Sequence, residues 1–278
     1  MTIKEKILEK YKPLTGVWEI TMQCNLNCLH CGSNADNKKR SNELSTDEAI
    51  KLVGDLHELG NQEMVLSGGE PLLRKDWYEI GREFRDRDML LAIISNGLSI
   101  RDEEIAKIRD LDLYAMGLSI DGLKESHDFL RGRDGSFDKN IRTIQKLKDN
   151  GVRVSINTAV NHGNIDDLVE LRDKFLDLGV NGWQLQVAAP FGRMGQGETK
   201  HLTISRSEYI TLCNFIVDSR RDYTQINIGG ADCIGYNHFE TGVLEDYDWK
   251  GCQAGMMNIG IESDGGIKGC LSLREEFI

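Results

Sequence analysis

The chain has 278 residues, 40% of them apolar, and a formal net charge of −11. This length suits one large domain, or one domain with an appendage, and the apolar share suffices for a substantial core, which excludes a disordered protein. The longest apolar runs are too short to span a membrane, and residues 1–11 lack the apolar stretch of a secretory signal. The acidic balance is the opposite of what binding to a phosphate backbone requires. We therefore expect a cytoplasmic protein that binds neither membrane nor nucleic acid.

Short apolar runs rich in β-branched residues alternate with amphipathic segments along most of the chain. The runs predict strands at 17–21, 63–66, 90–94, 114–120, 152–158 and 182–188, and the amphipathic segments predict helices at 46–59, 76–87, 102–111, 137–150, 165–178 and 205–219. Strands that alternate with helices indicate a parallel sheet covered by helices, hence an α/β fold. Periodicity alone fits either an open doubly wound sheet or an incomplete barrel.

The alternation ends after about residue 219. Residues 226–230, 259–263 and 267–271 predict short strands, and the sequence Asp264-Gly265-Gly266 predicts a hairpin turn between the last two. We interpret this tail as the start of a small second module.

Three of the seven cysteines, Cys24, Cys28 and Cys31, follow the first predicted strand within one short loop. Clustered thiols in a chain without an export signal usually hold metal. Three thiolates can hold three corners of a [4Fe–4S] cluster, which leaves the fourth iron an open coordination position. The alternatives are a structural zinc site that includes His30 and an incidental grouping of cysteines.

The spacing Cys-x3-Cys-x2-Cys, followed by Ser-Gly-Gly-Glu-Pro at 67–71, resembles the radical SAM superfamily. The resemblance extends from about residue 17 to residue 193. It implies a partial (β/α)6 TIM-type barrel, and it implies that Cys24, Cys28 and Cys31 bind the [4Fe–4S] cluster. The open iron would be chelated by the amino and carboxylate groups of S-adenosylmethionine (SAM).

The same resemblance implies SAM-binding residues at the ends of the predicted strands. Two glycines let a backbone approach a ligand closely, and Glu70 can accept a hydrogen bond from an ammonium group. By resemblance, the cofactor-binding residues are Gly68, Gly69 and Glu70 at the amino group, Ser95 and Asn96 after the third strand, Ser119 and Arg131 at the carboxylate and ribose, and Gln184, Gln186, Gly192 and Arg193 on the adenosine side. Asn157, at the end of the fifth strand, is either a further cavity residue or a plain polar strand end.

The tail sequence, with Cys252, Gly255, Asp264-Gly265 and Cys270, resembles the start of the SPASM extension of this superfamily, which carries auxiliary iron–sulfur clusters. The resemblance implies that Cys252 and Cys270 bind auxiliary iron; the alternative is two free buried thiols. The chain reaches Ile278 without the further cysteines of that extension, so we expect the extension to be incomplete. Cys233, in a glycine-rich loop, is a further cluster ligand, a hydrogen-atom donor or a spectator.

These resemblances divide the chain into a lead-in (1–16), a radical SAM barrel (17–220), and a bridging region with the start of a SPASM-like module (221–278). They imply that one electron, from a flavodoxin- or ferredoxin-type donor, cleaves SAM to methionine and a 5′-deoxyadenosyl radical, which takes a hydrogen atom from the substrate. The SPASM-like tail favours a ribosomally made precursor peptide, in which a thioether or carbon–carbon cross-link forms or a residue is epimerised. The alternatives are a radical SAM enzyme of cofactor or tetrapyrrole biosynthesis and a non-catalytic zinc or iron–sulfur interaction module.

Overall fold

A computed structural model describes residues 11–195, 197–235 and 251–272. Its strands are β1 (Thr15–Thr21), β2 (Glu63–Gly68), β3 (Leu90–Ser95), β4 (Ala115–Ser119), β5 (Val154–Val160), β6 (Gly182–Val187), β7 (Asn227–Gly230), β8 (Asn258–Ile261) and β9 (Ile267–Lys268). Its α-helices are α1 (Thr46–Glu58), α2 (Trp77–Asp86), α3 (Asp102–Asp110), α4 (Lys124–Arg131), α5 (Ser136–Asp149), α6 (Leu168–Asp177), α7 (Arg206–Asp222) and the short α8 (Asp232–Gly235). Single 3₁₀ turns occupy Pro71–Leu73, Ile165–Asp167, Gly192–Gly195 and Gly197–Leu202.

All nine predicted strands and all six predicted helices are present, with bounds that differ by a few residues. The sequence predicted neither the four-residue α8 nor α4, which lies between the fourth strand and the fourth predicted helix. Its sequence is largely polar and only eight residues long, so it offers little helical periodicity. It ends at Gly132, whose backbone φ of 63° is left-handed, as is common after a helix.

The strands form one sheet in the order β7-β6-β5-β4-β3-β2-β1-β8-β9. Strands β1 to β6 are parallel to their neighbours and follow one another in sequence order. A doubly wound sheet reverses its strand order near the middle, whereas a barrel keeps sequence order. The structure therefore confirms the prediction of an α/β partial barrel.

The strands of the tail extend this same sheet at both ends. β7 pairs in parallel with β6, while β8 pairs in parallel with β1 and forms an antiparallel hairpin with β9. The predicted Asp264-Gly265-Gly266 turn closes that hairpin, with the backbone N–H of Glu262 donating to the carbonyl of Gly266. The strand β8 is thus held against β1, the first strand of the barrel, although the two strands are far apart in sequence.

The helices cover one face of the sheet and bury its apolar side chains. Trp18 and Leu66, which are paired in register on β1 and β2, are fully buried in this core, and the ring of Trp18 packs edge-on against Phe84 of α2. The next pair, Glu19 and Ser67, faces the barrel interior because successive strand residues point to opposite faces. No helix in the described part of the chain is long and apolar enough to cross a membrane.

Candidate active site at the cysteine loop

The cysteine loop, residues 22–36, follows directly after β1. Cys24, Cys28 and Cys31 line a cavity of about 140 Å³ at the carboxyl ends of the strands. The backbone N–H of Cys24 donates to the carbonyl of Asp36 at 2.5 Å, which closes the loop at its base. Active sites of parallel barrels are built at this end of the sheet.

Gly68 and Gly69 form the wall of the cavity that belongs to β2. A Cβ atom on Gly68 would lie 2.2 Å from the carbonyl oxygen of Thr21, and one on Gly69 would lie 2.4 Å from that of Gln23. Only glycine therefore allows this segment to lie against the start of the cysteine loop. The backbone N–H groups of Gly69 and Glu70 donate to the carbonyl oxygens of Thr21 and Gln23 at 2.8 Å, which holds the wall against the start of the cysteine loop.

The carboxylate of Glu70 lies behind the cavity wall and is fully buried. It accepts hydrogen bonds from the hydroxyl of Ser95 and the backbone N–H of Asn96, both at 2.8 Å, and from the backbone N–H of Leu72. Burial raises the pKa of Glu70 to about 7, although the Asn96 and Ser95 donors favour its ionised form. In this position the carboxylate ties the turn after β2 to the end of β3, and its contact with the SAM ammonium group stays a prediction.

Asn96 connects the end of β3 to the cysteine loop. Its Nδ2 donates to Oδ1 of Asn25 at 2.7 Å and lies 3.8 Å from the sulfur of Cys24. Asn25 in turn donates to the hydroxyl of Ser99 at 3.1 Å. The predicted cofactor residue Asn96 therefore has a second role, because it fixes the segment that carries the first cysteine.

A buried charge cluster lies on the other side of the loop. Nη2 of Arg131 forms an ion pair with Oδ2 of Asp121 at 2.5 Å, and Nε2 of His30 lies 3.0 Å from the same oxygen. Nη1 of Arg131 lies 3.7 Å from the sulfur of Cys28. Burial opposes the charge on Asp121, but Arg131 and His30 outweigh it and hold the pKa of Asp121 well below its ordinary value. Asp121 and Arg131 therefore stay ionised across the physiological range, and the Arg131 cation lies next to the second cysteine, Cys28.

In the segment His127-Asp128-x2-Arg131, each of the three polar residues has a different contact. Nδ1 of His127 accepts from the backbone N–H of Asp121 at 3.1 Å. The carboxylate of Asp128 accepts from the hydroxyl of Ser136 and the backbone N–H of Phe137, at the start of α5. His127 and Asp128 thus hold the strand ends and helices around Arg131, which alone of the three faces the cavity.

Burial disfavours the thiolate form of Cys24 and Cys28. Burial raises the pKa of Cys24 to about 11. Burial also raises the pKa of Cys28, and the nearby Arg131 guanidinium opposes this effect. A metal binds the thiolate form, so ligation would have to displace these protons.

This geometry agrees with a comparison against family models. Residues 18–175, more than half of the chain, match the model of the radical SAM superfamily. The chain belongs to the radical SAM superfamily. The family implies a [4Fe–4S] cluster and SAM, and the described residues fit both groups: two buried thiols and one half-buried thiol surround one cavity together with the glycine wall and the Arg131 cation. Nε2 of His30, the residue that the zinc alternative includes, lies 3.0 Å from the carboxylate of Asp121.

The curated relatives of this radical SAM chain include a porphyrin synthase and a maturation protein. Fe-coproporphyrin III synthase of Methanosarcina barkeri is 36% identical over 162 residues, which cover 58% of this chain and 40% of that protein. The sporulation killing factor maturation protein SkfB of Bacillus subtilis is 28% identical over 264 residues, which cover 95% of this chain and 61% of that protein. The chain thus spans about half the length of these relatives.

A solved structure confirms the fold of the radical SAM chain. Streptococcus suis SuiB, crystallised with its precursor peptide SuiA, superposes with a TM-score of 0.79 at 18% identity, over 97% of this chain and 62% of that one. At this identity the likeness supports the architecture and no particular substrate.

Most of the residues that the sequence predicts to bind the cluster or SAM line one cavity. The cavity is lined by Cys24, Cys28, Cys31, Gly68, Gly69, Ser95, Asn96, Ser119, Arg131 and Arg193. Asn157 and Gln184, which are paired in register on β5 and β6, instead line a second cavity of about 200 Å³ inside the barrel. Gln186 is exposed on β6.

The remaining cysteines lie outside the loop cavity. Cys233 is exposed in α8, where its thiol interacts electrostatically with that of Cys252. Cys252 and Cys270 are half-buried and flank the hairpin formed by β8 and β9. Cys213 is fully buried in the core, as its apolar helical pattern predicts.

The role of Asp121 was not predicted from the sequence, and His30 was predicted only as a ligand in the zinc alternative. Asp121 stands at the end of β4, where polar residues commonly face a barrel site, so its position was a usable signal. The contact of His30 with Asp121 joins residues 91 positions apart, and no local pattern predicts it.

Proposed function

We propose that this radical SAM chain forms the catalytic barrel of an enzyme that modifies a ribosomally synthesised precursor peptide. The observation that carries the radical SAM part is the common cavity of Cys24, Cys28 and Cys31 with the glycine wall and Arg131. The proposal of a peptide substrate rests on the sequence similarity to SkfB, which extends over almost the whole chain.

When bound, the cluster and SAM supply one-electron cleavage of a sulfonium carbon–sulfur bond and hydrogen-atom abstraction from the substrate. The chain holds the three thiolates, and the wall of Gly68 and Gly69 offers carbonyl oxygens to the SAM amino group. Arg131 is the partner for the SAM carboxylate: its Nε is buried and has no hydrogen-bond partner among the described residues. Ser119 lines the same cavity beside it.

The tail supports a peptide substrate through a second argument. Cys252 and Cys270 flank a hairpin that is hydrogen-bonded to β1, so auxiliary iron bound there would lie on the barrel itself. SkfB is a maturation protein by name, and SuiB was crystallised with a precursor peptide. We therefore propose Cys252 and Cys270 as ligands of an auxiliary cluster, and a cytoplasmic flavodoxin- or ferredoxin-type protein as the electron donor.

A tetrapyrrole substrate is the second candidate. It is favoured by the 36% identity to an Fe-coproporphyrin III synthase, which exceeds the 28% identity to SkfB but covers only 58% of the chain. An enzyme of either kind would use the same cysteine loop and the same cluster chemistry. The two candidate functions therefore differ only in the substrate.

The test is an anaerobic reaction of the natural full-length protein, reconstituted with iron and sulfide and reduced with dithionite. SAM is added alone, with short peptides encoded beside the gene, or with iron coproporphyrin III. Formation of 5′-deoxyadenosine, together with a change in peptide mass, would support the proposal.

The two parts of the proposal fail separately. A bound [4Fe–4S] cluster without any 5′-deoxyadenosine would overturn the radical SAM activity. Formation of 5′-deoxyadenosine with an altered porphyrin and unaltered peptides would overturn the peptide substrate alone.

A further inference from the structure

Arg193 contacts the cysteine loop at three points. Its backbone N–H donates to the carbonyl of Cys31 at 3.0 Å. Its Nε donates to the carbonyl of Cys28 at 2.7 Å, and its Nη1 donates to the carbonyl of Ala35 at 2.8 Å. One residue thereby bridges the middle of the loop and its returning arm, although it lies more than 150 residues away in sequence.

The residue before Arg193 allows this close approach. Gly192 has a φ of +55°, and a Cβ atom there would lie 2.3 Å from the carbonyl oxygens of both Cys31 and Gly32. The segment after β6 therefore presses directly on the backbone of the loop, and a side chain at position 192 would force the two apart.

Cys28 is held by two arginines from different elements. Arg131 directs a nitrogen at its sulfur, and Arg193 binds its carbonyl oxygen. Cys24, by contrast, is fixed by the base of the loop and by the end of β3. Apart from Arg193, the described hydrogen bonds and ion pairs that reach this part of the loop from other elements are few, and they involve Cys28, Leu29, His30 and Ser33.

We propose that Arg193 is a positioning residue that holds the cysteine loop in its ligand-ready conformation before iron binds, and that it sets how firmly the cluster is kept. A guanidinium suits this role because its planar fork donates to two carbonyls at once, whereas the ammonium of lysine reaches one. Groups behind the ligands of a metal commonly act in this way, by fixing ligand orientation. The inference rests on the proposed role of the three cysteines as iron ligands.

The first test uses iron-free protein and needs no cluster. Amide hydrogen exchange, read by mass spectrometry on peptides that cover residues 24–35, compares the natural chain with Arg193→Ala and Arg193→Lys. We expect exchange to be about tenfold faster in Arg193→Ala, as loss of charge-assisted hydrogen bonds predicts, and intermediate in Arg193→Lys.

The matched control is Arg133→Ala. Arg133 is exposed in the turn after α4, and its guanidinium makes no hydrogen bond or ion pair with any residue in the described ranges of the chain. This variant removes the same charge and should exchange like the natural chain. Far-UV circular dichroism establishes that each variant is folded; if Arg193→Ala is not, Arg193→Lys carries the comparison.

The second test measures release of iron to a chelator from reconstituted protein. Release from Arg193→Ala should be about 10- to 100-fold faster than from the natural chain, and Arg193→Lys should recover part of the difference. Unchanged exchange and unchanged iron release in folded Arg193 variants would overturn the inference. If the natural chain itself binds no cluster, the proposed function fails, while the exchange experiment still decides the role of Arg193.

Discussion

Nη1 of Arg131 lies 3.7 Å from the sulfur of Cys28, and the carboxylate of Asp121 holds the other end of the same guanidinium. The ion pair is nearly inaccessible to solvent, with side-chain exposures of 12% for Arg131 and 1% for Asp121. A buried arginine in this arrangement needs its carboxylate, because removal of one partner leaves an uncompensated charge in a poorly solvated place. Asp121 therefore maintains the cation beside the second cysteine.

Replacement of this carboxylate should be costly. In Asp121→Ala we expect the free energy of unfolding of the iron-free protein to fall by about 3–5 kcal/mol, measured by urea denaturation. The control is Asp102→Ala, which breaks an exposed pair with Lys146 and should cost about 1 kcal/mol or less. Equal losses in the two variants would show that Asp121 does not carry a buried charge.

Cys28 is the cysteine most firmly held by the surrounding charges, and Cys28→Ala should abolish both cluster binding and SAM cleavage. Iron and sulfide analysis with the visible absorbance of the reconstituted protein measures the first effect, and 5′-deoxyadenosine measures the second. Cys213→Ala is the matched control, because this thiol is buried in the core away from the loop. A cluster that persists in Cys28→Ala would remove this residue from the set of ligands.

Glu70 should affect SAM more than the cluster. In Glu70→Ala the hydroxyl of Ser95 and the backbone N–H of Asn96 lose their acceptor, which is expected to lower the free energy of unfolding by about 1–3 kcal/mol and to weaken SAM binding by about tenfold. Equilibrium dialysis with SAM measures the affinity, and iron analysis should show an intact cluster. Glu58→Ala, at the exposed end of α1, is the control. Unchanged SAM affinity would contradict the role given to the turn after β2.

Cys270 tests the tail separately from the barrel. Cys270→Ala should leave SAM cleavage by the full-length protein intact and remove only auxiliary iron, because this cysteine lies beside the β8–β9 hairpin and not in the loop cavity. Iron content per chain and the electron paramagnetic resonance spectrum of the reduced protein measure the change. Loss of 5′-deoxyadenosine formation would show that the tail serves the first cluster as well.

Local sequence predicted the parts of the site that are made by neighbouring residues. The three cysteines occupy one loop, and a Cβ atom on Gly68 or Gly69 would collide with the end of β1 or the start of that loop, so the family resemblance of two short motifs was sufficient to predict that they lie together. The alternation of strands and helices likewise predicted the sheet, because each βα unit follows from its own apolar pattern.

Contacts between elements that are distant in sequence could not be predicted from local patterns. Asp121 meets His30, and Arg193 meets Cys28, only because parallel strands bring their carboxyl ends to one edge. The pairing of β8 with β1 is similar, since nothing in residues 258–261 indicates which strand they join. Glu70 is an intermediate case: its motif predicted the position, whereas the direction of its carboxylate depends on Ser95 and Asn96.

The last prediction concerns His127, which is buried and packs edge-on against Phe137. Burial, with a further contribution from the Arg131 cation, lowers the pKa of His127 from 6.5 to about 4. Above pH 6.5 the histidine is neutral in both the folded and the unfolded chain, so its environment has no effect on pH dependence there. As the pH falls from 6.5 to 4, the unfolded chain binds a proton that the folded chain does not, and stability decreases.

This one group should lower the free energy of unfolding by roughly 3 kcal/mol across that interval. Urea denaturation of iron-free protein at several pH values measures the slope in the natural chain and in His127→Gln, whose amide oxygen can still accept from the backbone N–H of Asp121. The variant should lose less stability between pH 6.5 and pH 4, while the two slopes should coincide above pH 7. Parallel curves throughout would mean that His127 is protonated equally in the folded and unfolded chains.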